Sequence, residues 1–146
     1  MLFRSSIGRK GYFGTGLRTG QQLDDFWEWD QLSNTWTQVA SFPGGRRYGT
    51  FSFSLSGKGY VGAGWSPTPR RDFYEFDPAI NTWTRKADFP GTARYHASAV
   101  SSGTKAYVGF GFSPYFKDWW VYDPVQDSWT QKTDFPGTAQ IGRAHV

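Results

Sequence analysis

The same residues return every 46 or 47 positions along this chain. Trp-Thr pairs begin at Trp36, Trp83 and Trp129, and Phe-Pro-Gly begins at Phe42, Phe89 and Phe135. Asp25, Asp72 and Asp118 hold the same spacing, as do Asp30, Asp77 and Asp123. Tyr12, Tyr60 and Tyr107, one residue further apart at 48 and 47, each precede a Gly-x-Gly, at Gly14/Gly16, Gly62/Gly64 and Gly109/Gly111. So many columns on one period define three copies of a single unit. Units of this kind hide their apolar faces only by stacking on one another.

Each unit reads as four short strands. In the middle copy, strand a covers Tyr48–Leu55 and the turn Ser56-Gly57-Lys58 leads into strand b, Gly59–Gly64. A loop, Trp65–Arg71, precedes strand c, Asp72–Asp77. Pro78 and Asn81 supply turn chemistry before strand d, Thr82–Ala87, and Asp88–Arg94 runs to the next copy. No stretch carries apolar residues at helical period, so essentially no helix is expected. Strand c places bulky groups side by side, Phe26-Trp27, Phe73-Tyr74 and Trp119-Trp120. Neighbours on a strand point to opposite faces, so these sheets must be covered on both sides. Aromatics make up 20% of the 146 residues, enough rings to line such faces. Blades stacked around an axis meet that demand, and the expected fold is an all-β propeller. It spans residues 6–140, with blade 1 at about 6–40, blade 2 at about 46–87 and blade 3 at about 93–133.

The units resemble kelch repeats across nearly the whole chain. The marks are an aromatic followed seven positions on by Trp (Trp29/Trp36, Phe76/Trp83, Tyr122/Trp129), the glycine pair after strand b, and Arg47 and Arg94 before strand a. The usual double glycine departs to Thr15-Gly16, Ala63-Gly64 and Phe110-Gly111. The wording D-F-W-E/Y-D-P-x-x-N-T-W-T…F-P-G-x-x-R is most similar to bacterial secreted kelch proteins, which implies an extracellular or cell-surface setting. The resemblance implies a kelch-type ring of six or seven blades, of which three are present. Propellers close to remove exposed edges, so partners are expected in missing blades of the same chain or in a second copy. Kelch-like sialic-acid mutarotases have six blades and imply a sugar-enzyme alternative. Kelch-like copper radical oxidases have seven and need a Cys crosslinked to Tyr plus two His ligands; with no Cys and one His outside the differing ends, that copper site is not expected in this segment. Intracellular kelch adaptors carry an extra N-terminal interaction domain, and none is seen here.

The ends read differently. Repeat wording starts only near Ile7, and after Gln140 it gives way to Ile141-Gly142-Arg143-Ala144-His145-Val146. One short DNA stub, read in two orientations, can encode both Leu2-Phe3-Arg4-Ser5 and Ile141-Gly142-Arg143. Residues 1–5 and 141–146 are therefore expected to be translated adaptor, set aside in fold reasoning. The formal charge of +4 then falls to 14 basic against 12 acidic residues, or +2, once Arg4 and Arg143 are omitted. The basic residues are scattered, which argues against nucleic acid as a partner. No apolar run is long enough for a membrane-spanning helix.

Chemistry is expected where copies differ. Side chains recurring in every unit are packing, whereas the loops between strands b and c (Leu17–Asp24, Trp65–Arg71, Phe112–Lys117) share no wording. With the strand d-to-a connections they form one rim. The candidate ligand-binding residues there are Arg18, Arg47, Trp65, Arg70, Arg71, Arg94, Phe112, Tyr115, Phe116 and Lys117, with Arg46 and Tyr95 beside them. Aromatic faces next to guanidinium groups suit sugar rings and acidic groups. The recurring Arg47 and Arg94 also fit a role as loop braces. A non-catalytic module recognising glycan or protein is the expected function, with no cofactor, no metal and no catalytic residue. His96 is the only histidine outside the set-aside ends, and it lies early in strand a near the channel. The repeating aspartates are expected to cap turns and strand ends.

Overall fold

The computed structural model describes residues 3–139, and all twelve regular elements among them are strands. The first sheet contains β1 (Phe3–Ile7), β2 (Lys10–Arg18), β3 (Gln21–Asp30) and β4 (Thr35–Val39). The second contains β5 (Phe51–Leu55), β6 (Lys58–Gly62), β7 (Phe73–Asp77) and β8 (Thr82–Lys86). The third contains β9 (Ser98–Ser102), β10 (Lys105–Gly109), β11 (Trp119–Asp123) and β12 (Ser128–Lys132). Each is an antiparallel meander in chain order. The first strands of the sheets neighbour one another, with β5 lying against both β1 and β9. These are three blades of a β-propeller with strand a innermost.

Local chemistry explains the strand c-to-d turns. The Asp30 carboxylate accepts the amides of Leu32 at 2.8 Å and Ser33 at 3.2 Å, and Asp77 and Asp123 take the amides of Ala79 and Val125, each at 3.0 Å. Asn34, Asn81 and Asp127 then turn the chain at φ +52, +52 and +47, which short polar side chains tolerate.

Two expectations shift. Strand a begins at Phe51, not Tyr48, because Gly49 sits at φ +68 and breaks the ladder there. In blade 1 the stretch 17–24 is not a loop. β2 and β3 run on past a bulge at Thr15 and close through Thr19 and Gly20, at φ +45 and +80. Two positive values in a two-residue turn match strand twist, so the hairpin can extend beyond the blade. Of the set-aside ends, Phe3–Ser5 belong to β1, while residues 1, 2 and 140–146 lie outside the described ones.

Blades meet through one repeated aromatic junction. Between blades 1 and 2, Trp83 packs on Phe26 at 5.0 Å and Phe42 at 5.2 Å, and Tyr12 meets Phe76 at 5.7 Å. Between blades 2 and 3, Trp129 packs on Phe73 at 5.1 Å and Phe89 at 5.3 Å, and Tyr60 meets Tyr122 at 5.8 Å. Each junction tryptophan also donates its indole N–H across the gap, Trp83 to the Ala40 carbonyl at 2.8 Å and Trp129 to that of Ala87 at 2.9 Å. The third member of the column, Trp36, is 55% exposed. Among the described residues no further blade covers the outer faces of blades 1 and 3, where Trp36 and Phe135 are exposed, as expected for three blades of a ring.

Truncating a junction ring leaves a cavity and strands the carbonyl it served. Trp83→Ala is expected to cost about 3–5 kcal/mol in urea unfolding. A loss below about 1 kcal/mol would contradict its place in the core.

Candidate functional site

At the end of strand b the chain must turn sharply to leave the blade. Ala63 and Gly64 stand at φ +57 and +93, Phe110 and Gly111 at φ +59 and +104, and Thr15 and Gly16 at φ +51 and +122. At the second position glycine is required. A Cβ on Gly64 would lie 2.9 Å from the Tyr48 carbonyl oxygen and from Thr50 Cγ2.

A buried arginine holds this turn. Arg47 is 1% exposed and donates through Nη1 and Nη2 to the two Asp72 oxygens at 2.6 and 2.9 Å. It also donates to the carbonyls of Ala63 at 3.0 Å, Gly45 at 3.3 Å and Gly44, and lies 4.9 Å from the Phe42 ring centroid. Arg94, at 0% exposure, repeats the pattern with Asp118, the Phe110 carbonyl at 3.0 Å and the Thr92 carbonyl at 2.8 Å. Its guanidinium is sandwiched by Phe89 at 5.0 Å and Phe116 at 3.8 Å. Arg47 and Arg94 were candidates for ligand binding, but both are taken up internally and sealed. Asp72 and Asp118, expected to cap turns or strand ends, instead neutralise these guanidinium groups. Asp25, their equivalent in blade 1, accepts the Trp27 indole N–H at 2.8 Å, and no guanidinium reaches it among the described residues.

With the connections pinned, the residues after each arginine rise onto the rim. Tyr48 pairs its backbone with Trp65, and Tyr95 with Phe112. Tyr95 becomes a hub, with ring centroids 5.4 Å from Trp65, 5.3 Å from Phe112 and 6.0 Å from Tyr48. Phe112 meets Tyr115 at 5.0 Å, and Tyr115 is 52% exposed. Trp65, Phe112 and Tyr115 therefore converge into one aromatic patch built by blades 2 and 3. Burial raises the Tyr95 hydroxyl above its ordinary range, with the Tyr48 and Tyr115 hydroxyls adding to the effect.

The other rim candidates are cations on the same loops and on blade 1. Arg70 and Arg71 are exposed and line an open cleft of about 410 Å³ with Arg85, Asp72 and Asp88. Arg70 Nε donates to the Ser66 carbonyl at 2.7 Å, and Arg85 pairs with Asp88 at 3.0 Å. Lys117 is exposed and offers its carbonyl to the Phe135 amide at 2.9 Å. Phe116 covers Arg94 and is not part of the patch. Arg18 stands at the end of the extended hairpin of blade 1, on a different blade from the aromatic cluster. Arg46 forms a loose 3.7 Å pair with Asp24. Among the described residues no three His, Asp or Glu side chains converge to hold a metal ion.

Tyr48 and His96 were missed as site residues. His96 precedes β9, and its amide donates to the Gly49 carbonyl at 2.7 Å. It stands at φ +57, matching Gly49, with its ring 4.9 Å from Tyr95 and 6.1 Å from Tyr48. Its Nδ1 is buried without a hydrogen-bond partner, and burial lowers its pKa below the ordinary histidine value. The sequence signal was the dipeptide after each arginine, Tyr48-Gly49 against Tyr95-His96.

Three stacked four-stranded meanders with inner strands adjacent define a propeller-type protein, and comparison with solved structures agrees. The chain is similar to the solved structure of YjhT, with a TM-score of 0.76 at 20% identity, over 94% of this chain. It spans 53% of the YjhT chain, so about half of that protein's length has no counterpart here. No protein-family model and no curated protein sequence matches the chain.

Removing one partner of a buried ion pair leaves the other charged and dry. Asp72→Ala is expected to cost about 3 kcal/mol in urea unfolding. Asp25→Asn, which faces no arginine, should cost less than about 1 kcal/mol. Equal losses would refute the brace. His96 gives a pH signature. The folded state favours the neutral ring, so the unfolded chain takes up the proton first, near its own value of about 6.5. Its contribution is fully present above that value and declines as pH falls through it. Melting temperature should drop between about pH 7.5 and 5.5, above the carboxylate range, and His96→Gly should flatten that slope.

Proposed function

We propose that the rim is a recognition surface for an acidic glycan, and that the chain is the binding part of a kelch-type protein. The observation that carries this reading is the chain of aromatic contacts from Trp65 through Tyr95 and Phe112 to the exposed Tyr115. The loop that carries Trp65 also carries the exposed Arg70 and Arg71, and Arg70 Nε is anchored on the carbonyl of Ser66, the residue next to Trp65. Sugar rings present flat C–H faces that stack on aromatic rings, while a sugar carboxylate or sulfate takes two parallel hydrogen bonds from a guanidinium group. Loops that vary over a fixed scaffold are also where binding commonly resides. The setting implied by the kelch resemblance, outside the cell or at its surface, is one where glycans are abundant.

His96 bears on the alternative, a sugar enzyme of the mutarotase kind. Its ring lies beneath the patch against Tyr95, with an unpartnered nitrogen able to accept a proton. Anomer exchange of an acidic sugar, followed by NMR and lost in His96→Gly, would replace the binding reading with a catalytic one.

Glycan-array binding followed by calorimetry tests the recognition surface. Tyr115→Ala and Arg71→Ala alter exposed residues and should leave the melting temperature unchanged, yet weaken binding about tenfold or more each, roughly 1.4 kcal/mol. Trp65→Ala should weaken it likewise. Affinity for acidic glycans that survives all three substitutions, or an array without acidic-glycan binding, would sink the proposal.

A further inference from the structure

The two uncovered faces are the two halves of one junction. At the internal junctions, one side presents Tyr12, Phe26 and Phe42, then Tyr60, Phe73 and Phe89. The same columns on blade 3 are Tyr107, Trp119 and Phe135; Tyr107 and Trp119 are half-buried, Phe135 is 37% exposed, and no further blade packs on them among the described residues. The opposite side presents Phe76 with Trp83, then Tyr122 with Trp129. The same columns on blade 1 are Trp29 and Trp36, with Phe13 edge-on to Trp36 at 5.1 Å. An apolar cleft of about 370 Å³ lies on blade 3 between Phe110, Trp119, Thr133 and Phe135. It stands where Phe26 and Phe42 take Trp83, and where Phe73 and Phe89 take Trp129.

The polar contacts follow the same registration. Across the first junction the Ala40 amide donates to Asn81 at 2.8 Å and its carbonyl accepts the Trp83 indole N–H. Across the second, the Ala87 amide donates to Asp127 at 3.1 Å and its carbonyl accepts from Trp129. Thr133 is the third member of the alanine column, Asn34 of the Asn/Asp column and Trp36 of the indole column. Donor, acceptor and ring are all present, but at opposite ends of the chain.

We propose that two copies of this chain assemble head to tail. Trp36 of each enters the Trp119–Phe135 cleft of the other and donates to the Thr133 carbonyl, while Asn34 accepts the Thr133 amide. The two junctions are identical and related by a twofold axis along the channel, so the assembly closes as a six-bladed ring instead of growing into a filament. Closure also removes both apolar faces, which a soluble monomer would otherwise expose. The inference does not depend on the rim's ligand.

Sedimentation of the full chain in the micromolar range tests it, using Trp36→Asp and Phe135→Asp. Both positions are solvent-accessible in the single chain, so each variant should keep the wild-type strand signal by circular dichroism. The wild type is expected to be a dimer and each variant alone a monomer. Mixing the two variants restores one intact junction, with Trp36 from one copy meeting Phe135 from the other. The mixture should therefore dimerise at least about tenfold more tightly than either variant alone. A monomeric wild type, a dimer indifferent to both substitutions, an open series of larger oligomers, or a mixture no better than its components would each overturn the proposal. Loss of glycan binding with the dimer intact would refute only the rim.

Discussion

A guanidinium group removed from water is the constraint around which blades 2 and 3 are organised. Such a charge is tolerated inside a protein only when a carboxylate and further acceptors surround it. Arg47 and Arg94 meet that condition with an aspartate at the start of strand c, the carbonyl of the left-handed residue after strand b, and carbonyls of their own connection. One side chain thus ties three separate stretches of a blade together. The Arg47 carbonyl reaches back to the Gly16 amide at 2.8 Å, and that of Arg94 to Gly64 at 2.9 Å, so the same residue also stitches each blade to the one before. Glycines, aspartates and Phe-Pro-Gly recur in register because they build this cradle and its floor.

Aromatic packing does complementary work. The rings between blades supply most of the apolar burial, yet rings alone specify position loosely. The indole-to-carbonyl bonds of Trp83 and Trp129 convert that contact into a fixed registration. The same indole, ring and amide contacts consequently recur at both interfaces, and the rim loops rest on a repeated platform. Functional variety is confined to segments outside that platform.

Much of this was legible in the sequence. Four strands per unit, three units and the absence of helix follow from period and alternation alone, since a repeat must satisfy the same packing each time. Trp65, Phe112 and Tyr115 stood out because they break columns that are otherwise uniform. The pairing of Arg47 with Asp72 was not legible, because 25 residues separate them and only the folded meander brings them together. Tyr48 looked like strand because it adjoins Thr50 and Phe51, and only the backbone angle of Gly49 shows that the ladder starts later. The blade 1 hairpin was read as loop because polar, Gly-containing wording marks loops and exposed hairpins alike.

That hairpin differs from its counterparts in what sustains it. Beyond its base, where Gly16 and Leu23 bond to the Arg47 backbone, its strands pair Leu17 with Gln22 and Arg18 with Gln21, and its tip residues are exposed. Because main-chain pairing and a compatible turn are enough to hold it, the identities of the outward side chains near Thr19 are almost free of folding constraint. Selection could rewrite them quickly and leave the blades untouched, making this finger the place where descendants of one scaffold would diverge first in taste.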